Sequence, residues 1–189
     1  MRETTLDKVI FAYLDVETTG LNPISDRVCE VAVLRVQDRR ILGQYQTLIN
    51  PGRPIPIEVQ KINGITDRMV EFSPAFGEIL IPLSAAVEGA VMICHNAPFD
   101  TAFIQNEFER VGKRAPSVPV LDTLALARKH FRFTSNKLAS ISKEIGQEPA
   151  GWHRAANDVQ ILKGVFEHFL EEFRRNGLTT LNELLVLRA

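Results

Sequence analysis

The sequence has only two cysteines, no long apolar run and almost no excess of charge of either sign. Cys29 and Cys94 lie inside apolar segments far apart in the chain, which favours buried reduced thiols over a disulfide or a zinc site. No segment approaches the roughly 18 to 20 consecutive apolar residues that span a bilayer. The opening residues, MRETTLDKVI, carry acidic side chains where a secretory signal has an apolar core. These absences predict a soluble cytoplasmic protein with no membrane partner.

The charge balance limits how this chain can bind nucleic acid. Lysine and arginine number 22, aspartate and glutamate 23, and the net charge is −1. A protein that binds a long stretch of nucleic acid through many phosphates usually has a basic surface, so any such contact is expected to be local. The 189 residues, 45% of them apolar, suffice for one compact core. We predict a single domain over residues 1–189.

The hydrophobic pattern is strand-like in the first half of the chain and helix-like in the second. Strands are predicted at residues 9–16, 28–36, 41–49, 91–94 and 118–121. Helices are predicted at 73–88, after Pro98, from Asp122, at 138–145, at 155–173 and at about 180–187. In the first of these, Ser73 is predicted to be the cap and Pro82 to cause a kink. The last is predicted to begin with a capping box formed by Thr180 and Glu183. This order predicts an α/β fold, a mixed five-stranded sheet flanked by helices.

The segment LDVETTG, at the end of the first predicted strand, contains two acids. Residues two apart in a strand project from the same face, so Asp15 and Glu17 are expected to present their carboxylates side by side next to the core. Two adjacent like charges raise each other's pKa or attract a cation, and a divalent ion keeps both ionised. The alternative is an ordinary charged strand end that enters the following turn.

Two further acids are predicted to point inward from helices. Asp100, in HNAPFD, precedes Phe103 and Ile104 by three and four residues, and Asp158, in HRAAND, precedes Leu162 by four. This spacing places each carboxylate on the apolar side of its helix. A helix cap for Asp100 or ordinary salt bridges would account for each acid alone. Two helices and one strand that all aim acids inward favour a shared metal cluster.

A histidine stands just ahead of the last of these helices. His153 has an imidazole whose ordinary pKa of about 6.5 suits a general base that takes a proton from water; considered alone, a surface-loop histidine is the favoured interpretation. Glu30 and Asp122 are instead predicted to have structural roles, as a paired side chain in a strand and as a helix N-cap.

The segments DVETTG, HNAPFD and HRAAND, in this order and separation, resemble the three exonuclease motifs of the DEDDh superfamily. That superfamily includes the epsilon proofreading subunit of bacterial DNA polymerase III, ribonuclease T and oligoribonuclease. The resemblance covers about residues 8–172, and the histidine five residues before the last aspartate separates DEDDh members from relatives with tyrosine in that role. The resemblance implies a ribonuclease-H-like fold.

The resemblance also implies a chemistry. Two Mg²⁺ or Mn²⁺ ions are expected to support release of nucleoside monophosphates from a free 3′ end. Carried over residue by residue, Asp15, Glu17, Asp100 and Asp158 correspond to the metal ligands, and His153 corresponds to the general base.

A substrate pocket is implied by the same motifs. Backbone amides around Thr18, Thr19 and Gly20 are expected to bind the terminal 3′ hydroxyl, and Leu21 to separate the last two bases as an apolar wedge. Further expected substrate contacts are Ile65, His95, Asn96 and Phe99.

The pocket residues have structural alternatives. Strand-end hydrogen bonding is the alternative for His95 and Asn96, and for Phe99 core packing is slightly favoured over stacking on a base. This chain has Asn63-Gly64-Ile65 where the family often has His-Gly-Ile, so the substrate role of that histidine does not carry over.

The expected function is trimming of single-stranded 3′ ends of DNA, in proofreading or repair. An exoribonuclease that trims RNA ends is the first alternative. The second is a catalytically weak nucleic-acid-binding module of a replication or repair complex. A DNA polymerase or replication complex is the expected protein partner.

Overall fold

The computed structural model describes residues 4–147 and 154–187, which contain a five-stranded sheet flanked by helices. The strands are β1 (Ile10–Thr18), β2 (Val28–Gln37), β3 (Arg40–Leu48), β4 (Val91–Cys94) and β5 (Val120–Asp122). The helices are α1 (Ile57–Asn63), α2 (Asp67–Val70), α3 (Leu80–Val87), α4 (Ala97–Arg110), α5 (Thr123–His130), α6 (Leu138–Glu144), α7 (Ala155–Arg175) and α8 (Leu181–Val186).

The sheet has the order β3-β2-β1-β4-β5. β2 is antiparallel to both β1 and β3, whereas β4 is parallel to β1 and to β5. The predicted mixed α/β sheet is therefore confirmed. β1 lies at its centre, where neighbours on both edges and helices on both faces keep its apolar residues from water.

Side chains of β1 alternate between two cores. Phe11 and Tyr13 face α7, and both rings meet Phe166 edge-on with centroids 5.2 and 6.0 Å apart. Leu14 and Val16 point to the other face and belong to the core that contains α3 and α4. Asp15 and Glu17 follow Phe11 and Tyr13 in this alternation, so they lie on the α7 face at the end of the strand.

The predicted helix over residues 73–88 is wrong at its start. Residues 73–75 run alongside Asn50, whose backbone N–H donates to the Pro74 carbonyl at 2.9 Å, and only a short 3-10 turn, Phe76–Glu78, precedes α3. Ser73 is therefore not the cap. Pro82 falls in the first turn of α3, where its missing N–H has no intrahelical partner to lose, so the kink predicted there has no cause.

Two short helices, α1 and α2, have no counterpart among the predicted elements. Elsewhere the predictions are confirmed: α7 covers the predicted 155–173, and Thr180 and Glu183 form the capping box of α8. Both cysteines are buried and free. Within residues 4–147 and 154–187, no helix combines the length and the apolar character needed to cross a membrane.

Candidate active site

Three carboxylates from β1 and α7 converge at one end of the sheet. Asp15, Glu17 and Asp158 each offer an oxygen, and these ligand atoms all lie within 4.8 Å of one another. Each of the three side chains is half-buried. The structure therefore brings together the strand pair and the α7 acid that the sequence predicts to meet.

Local structure explains this convergence. The face of β1 that carries Phe11 and Tyr13 is covered by α7, and the acids two and four residues further along the strand fall under the start of that helix. Asp158 lies in the first turn of α7, and its backbone N–H donates to the carbonyl of Arg154 at 3.0 Å. Apolar packing of α7 on β1 thus fixes how close the three carboxylates come.

Asp100 lies beside this group, in the first turn of α4, with only 3% of its surface exposed. It accepts a hydrogen bond from the backbone N–H of Val16, the residue between Asp15 and Glu17. Its charge contributes to raising the pKa of Asp15. The fourth predicted ligand is therefore inward-facing and adjacent to the cluster, as its helical spacing predicts.

Burial and mutual repulsion disfavour the charged forms of these acids. Loss of solvation, followed by the charges of Asp158 and Glu30, raises the pKa of Glu17 to about 7. Loss of solvation and the neighbouring carboxylates raise the pKa of Asp15 well above its ordinary value, and burial likewise raises the pKa of Asp100. All the donor atoms are carboxylate oxygens, and without a cation their acids ionise less readily than usual. Such a group suits a hard divalent cation such as Mg²⁺ or Mn²⁺.

His153 lies outside the described residues, which resume at Arg154. Its assignment as general base stays a prediction from the motif.

Glu30 and Asp122 have the structural partners that the sequence predicts. Glu30 is fully buried and receives both ends of the Arg154 guanidinium, with Nη2–Oε1 at 2.8 Å and Nε–Oε2 at 3.1 Å. Asp122 caps α5 by accepting from the backbone N–H of Leu124 at 2.9 Å. Neither carboxylate belongs to the three-acid group.

Asn63 is a supporting residue that the sequence does not single out. It is buried at the end of α1, its Oδ1 accepts from the Ile65 N–H at 3.0 Å, and its side chain hydrogen-bonds Glu17, which lowers the pKa of that acid against the effect of burial. In the sequence, Asn63 is marked only by its position in the segment where the family often has histidine.

The turn after β1 is tightly organised. The Thr18 hydroxyl donates to the Gly20 carbonyl at 2.6 Å, and the Thr19 N–H donates to the Arg27 carbonyl at 2.8 Å. A side chain at Gly20 would put its Cβ 2.3 Å from an oxygen of Asp26, so any larger residue there requires the Asp26 side chain to move. The Thr19 N–H that is predicted to contact the 3′ hydroxyl is thus already bound to the Arg27 carbonyl. Leu21 is 84% exposed, as a wedge residue needs to be.

The other predicted substrate residues differ in how much surface they offer. Both ring nitrogens of His95 are engaged, Nδ1 with the Thr123 hydroxyl and Nε2 with the Asn136 carbonyl, each at 2.9 Å. Asn96 is exposed, with a left-handed backbone. Phe99 is half-buried against Phe103, with ring centroids 4.8 Å apart.

Ile65 differs from the expectation. It has no exposed surface and packs in a small core with Cys29, Ile55 and Val70. In this structure it therefore presents no exposed side-chain surface to a substrate.

Known proteins match nearly the whole chain. Residues 13–166 match the family model RNase_T, described as an exonuclease. The DNA polymerase III subunit epsilon of Treponema pallidum is 34% identical over 175 residues, which cover 90% of this chain and 81% of that protein. The PolC-type DNA polymerase III of Thermotoga petrophila is 34% identical over 182 residues, which cover 96% of this chain but only 13% of that protein. The chain thus corresponds to a small part of such polymerases.

A solved structure matches in fold. Exonuclease X, solved in complex with 5′ overhanging duplex DNA, superposes with a TM-score of 0.71 at 23% identity, over 95% of this chain and 99% of that one. A likeness at this level of identity concerns the fold, and it agrees with the ribonuclease-H-like architecture implied by the motifs.

Proposed function

The chain belongs to the exonuclease family, and from this membership we propose that it is a metal-dependent 3′-5′ exonuclease that releases nucleoside monophosphates from single-stranded DNA ends. The observation that carries the proposal is the group of Asp15, Glu17 and Asp158, with Asp100 beside it. The names of two relatives, a DNA polymerase III subunit epsilon and a PolC-type DNA polymerase III, support a role in proofreading or repair.

The four carboxylates would hold two Mg²⁺ or Mn²⁺ ions. The oxygen donors of all four and the raised pKa values of Asp15, Glu17 and Asp100 fit such cations, which would replace protons as the partners of these acids. When bound, two ions of this kind stabilise the charge that develops on the scissile phosphate and activate the attacking water.

The remaining groups bind the end of the strand and move the proton. His153 is proposed to accept the proton of the attacking water, since a neutral imidazole does this near neutral pH. Leu21, exposed on the turn after β1, is proposed to contact the terminal base. Asn63 hydrogen-bonds Glu17 through its side chain and is proposed to orient that carboxylate toward the cluster.

The decisive test is product analysis on labelled, matched DNA and RNA oligomers with Mg²⁺. We expect mononucleotides from a free 3′ end, none after a 3′ phosphate blocks that end, and none in EDTA. Asp158→Asn should reduce the rate at least about 100-fold, because losing a ligand costs more than losing a supporting residue. Glu171→Gln, on the same helix but in a solvent-exposed ion pair, is the matched control and should retain wild-type activity.

Each outcome has a clear meaning. Faster digestion of RNA would replace the DNA assignment with an exoribonuclease. Full activity of Asp158→Asn, or activity in EDTA, would overturn the metal-dependent mechanism. Binding of oligomers without cleavage under every metal tried would favour a nucleic-acid-binding module.

We also propose that the chain associates with a replicative DNA polymerase, because the relatives named above are subunits or forms of DNA polymerase III. Gel filtration of the chain with such a polymerase tests this. Co-elution is expected, and separate elution at micromolar concentrations would count against a stable complex.

A further inference from the structure

Glu30 stands where a buried charge is expensive. It is fully buried in β2 and is paired directly with Glu17 of β1 across the antiparallel ladder. Like charges that face each other across two strands destabilise a sheet, and a buried carboxylate loses its hydration. The Glu30 charge also helps to raise the pKa values of Asp15 and Glu17. A carboxylate at this position therefore needs strong compensating contacts.

Those contacts come chiefly from the start of α7. Arg154 donates to both oxygens of Glu30, and the backbone N–H of Ala155 donates to Oε2 at 3.1 Å. Gln46 of β3 adds a bond from Nε2 to Oε1 at 3.1 Å. Glu30 thus binds the side chain of the residue that precedes α7 and also satisfies the first backbone donor of that helix.

Arg154 connects this anchor to the metal-binding group. Its backbone carbonyl accepts the N–H of Asn157 at 2.8 Å and the N–H of Asp158 at 3.0 Å. Glu30 is therefore linked to two of the three clustered acids: Glu17 is its partner in the ladder, and Asp158 hydrogen-bonds the backbone of Arg154, whose side chain binds Glu30.

We propose that Glu30 and Arg154 are positioning residues that fix Asp158 against Glu17 in the geometry that binds divalent cations. The inference rests on the proposed metal site and deepens it. Neither side chain is a metal ligand in this scheme; the pair sets where α7 begins relative to β1.

An ordinary stabilising ion pair is the competing explanation, and the charge of Arg154 distinguishes the two. The Arg154 guanidinium lies close enough to Glu17 to lower its pKa. On charge alone, removing this cation next to an acidic group leaves Mn²⁺ affinity the same or makes it stronger. If Arg154 positions the acids, its removal makes Mn²⁺ binding weaker. The two explanations predict opposite signs.

The test is calorimetric titration of the full chain with Mn²⁺ alone, on the wild type, Arg154→Ala and Arg154→Lys. We expect Arg154→Ala to weaken binding about 10- to 100-fold, the usual cost of losing a residue that supports a metal ligand, and Arg154→Lys to weaken it less because it keeps a charged donor for Glu30. At saturating Mn²⁺ most of the lost turnover should return.

Arg35 provides the matched control. It lies on β2 like Glu30, and its Nη1 donates to the carbonyls of Ala86 at 2.9 Å and Glu88 at 3.0 Å, at the end of α3. Arg35→Ala removes the same charge and a comparable helix-end contact, and we expect unchanged Mn²⁺ affinity. Circular dichroism verifies folding; if Arg154→Ala does not fold, Arg154→Met replaces it with similar length and no charge.

The outcomes separate the two proposals. A wild type that binds Mn²⁺ together with an Arg154→Ala variant that binds it equally well or more tightly overturns the positioning role and leaves the proposed function standing. A wild type that binds no Mn²⁺ overturns the metal site, and the positioning role with it.

Discussion

At the scale of single residues, contacts of Glu17 shift its pKa in opposite directions. Burial and the charges of Asp158 and Glu30 raise its pKa to about 7, whereas the hydrogen bond from Asn63 and the charge of Arg154 act in the other direction. Without a cation, the folded protein therefore binds a proton on Glu17 more tightly than the unfolded chain does. Stability and metal occupancy are linked through this residue.

We expect the metal-free protein to lose stability as pH rises. The contribution of Glu17 is complete below its ordinary pKa of 4.5 and is lost as pH passes through about 7. The loss is on the order of 3 kcal/mol at most. Urea unfolding in EDTA at about pH 5 and about pH 8 measures it.

Glu17→Gln is the comparison for this effect, because its amide has no proton to lose. Its stability should depend less on pH over the same interval, and Mn²⁺ should reduce the pH dependence of the wild type. Equal slopes for the variant and the wild type in EDTA would contradict the prediction.

Leu21 is suited to contact a substrate because it contributes little to the fold. Its side chain is 84% exposed, so Leu21→Ala should change the free energy of unfolding by no more than about 0.5 kcal/mol. We expect the KM for single-stranded oligomers to rise several-fold with kcat less affected. Ile81→Ala, at an equally exposed leucine-sized residue on α3, serves as the control. An unchanged KM in Leu21→Ala would remove the wedge role.

Residue spacing alone predicts which acids face inward but not all of their partners. The two-residue spacing of Asp15 and Glu17 and the helical spacing before Leu162 place three clustered carboxylates correctly. The partner of Glu30 is Arg154, 124 positions away, and no local pattern reports a pairing at that distance.

At the scale of elements, the turn between β1 and β2 is fixed from α4. Glu107 is almost completely buried and accepts from Arg27 through Nε at 2.7 Å and Nη2 at 2.9 Å, and from the Val28 N–H at 3.1 Å. Arg110 of the same helix donates to the Ile24 carbonyl at 2.6 Å. One helix face thus holds the middle and the β2 end of the turn that presents Leu21.

Glu107→Ala should therefore lower the free energy of unfolding substantially. It leaves the Arg27 guanidinium and the Val28 amide without their buried acceptor, and breaking a buried pair in this way costs about 3 to 5 kcal/mol. Urea unfolding measures the loss. Glu172→Ala, which breaks an exposed pair with Arg175 on α7, should cost no more than about 1 kcal/mol. Similar losses for the two variants would contradict this account.

The elements that the sequence predicts correctly are those whose own residues determine them. α7 has a continuous apolar stripe, and α8 has a complete capping box at its start. The error at Ser73 arises because the backbone of Asn50 pairs with residues 74–75, a contact between distant segments. α1 spans 7 residues and α2 only 4, and neither begins with a side-chain cap hydrogen bond, so little in their own residues marks them as helices.

At the scale of the whole molecule, the near-neutral charge governs how strongly a strand is held. A net charge of −1 leaves no overall excess of basic side chains to attract a long strand, so we expect distributive digestion and a weak dependence of KM on salt. Digestion of a labelled long oligomer in the presence of excess unlabelled trap measures this. Continued shortening of the labelled strand after the trap is added would contradict it.

The alternation of β1 has a consequence for which sequence changes this architecture tolerates. Leu14 and Val16 occupy one core while Asp15 and Glu17 face the other side of the sheet. A residue inserted or deleted within the strand would slip every later side chain to the opposite face, burying two carboxylates in an apolar core and leaving alkyl groups beside Asp158. Substitutions can therefore adjust this centre gradually, whereas a change in the length of β1 would destroy the acidic group and the adjoining core in a single step.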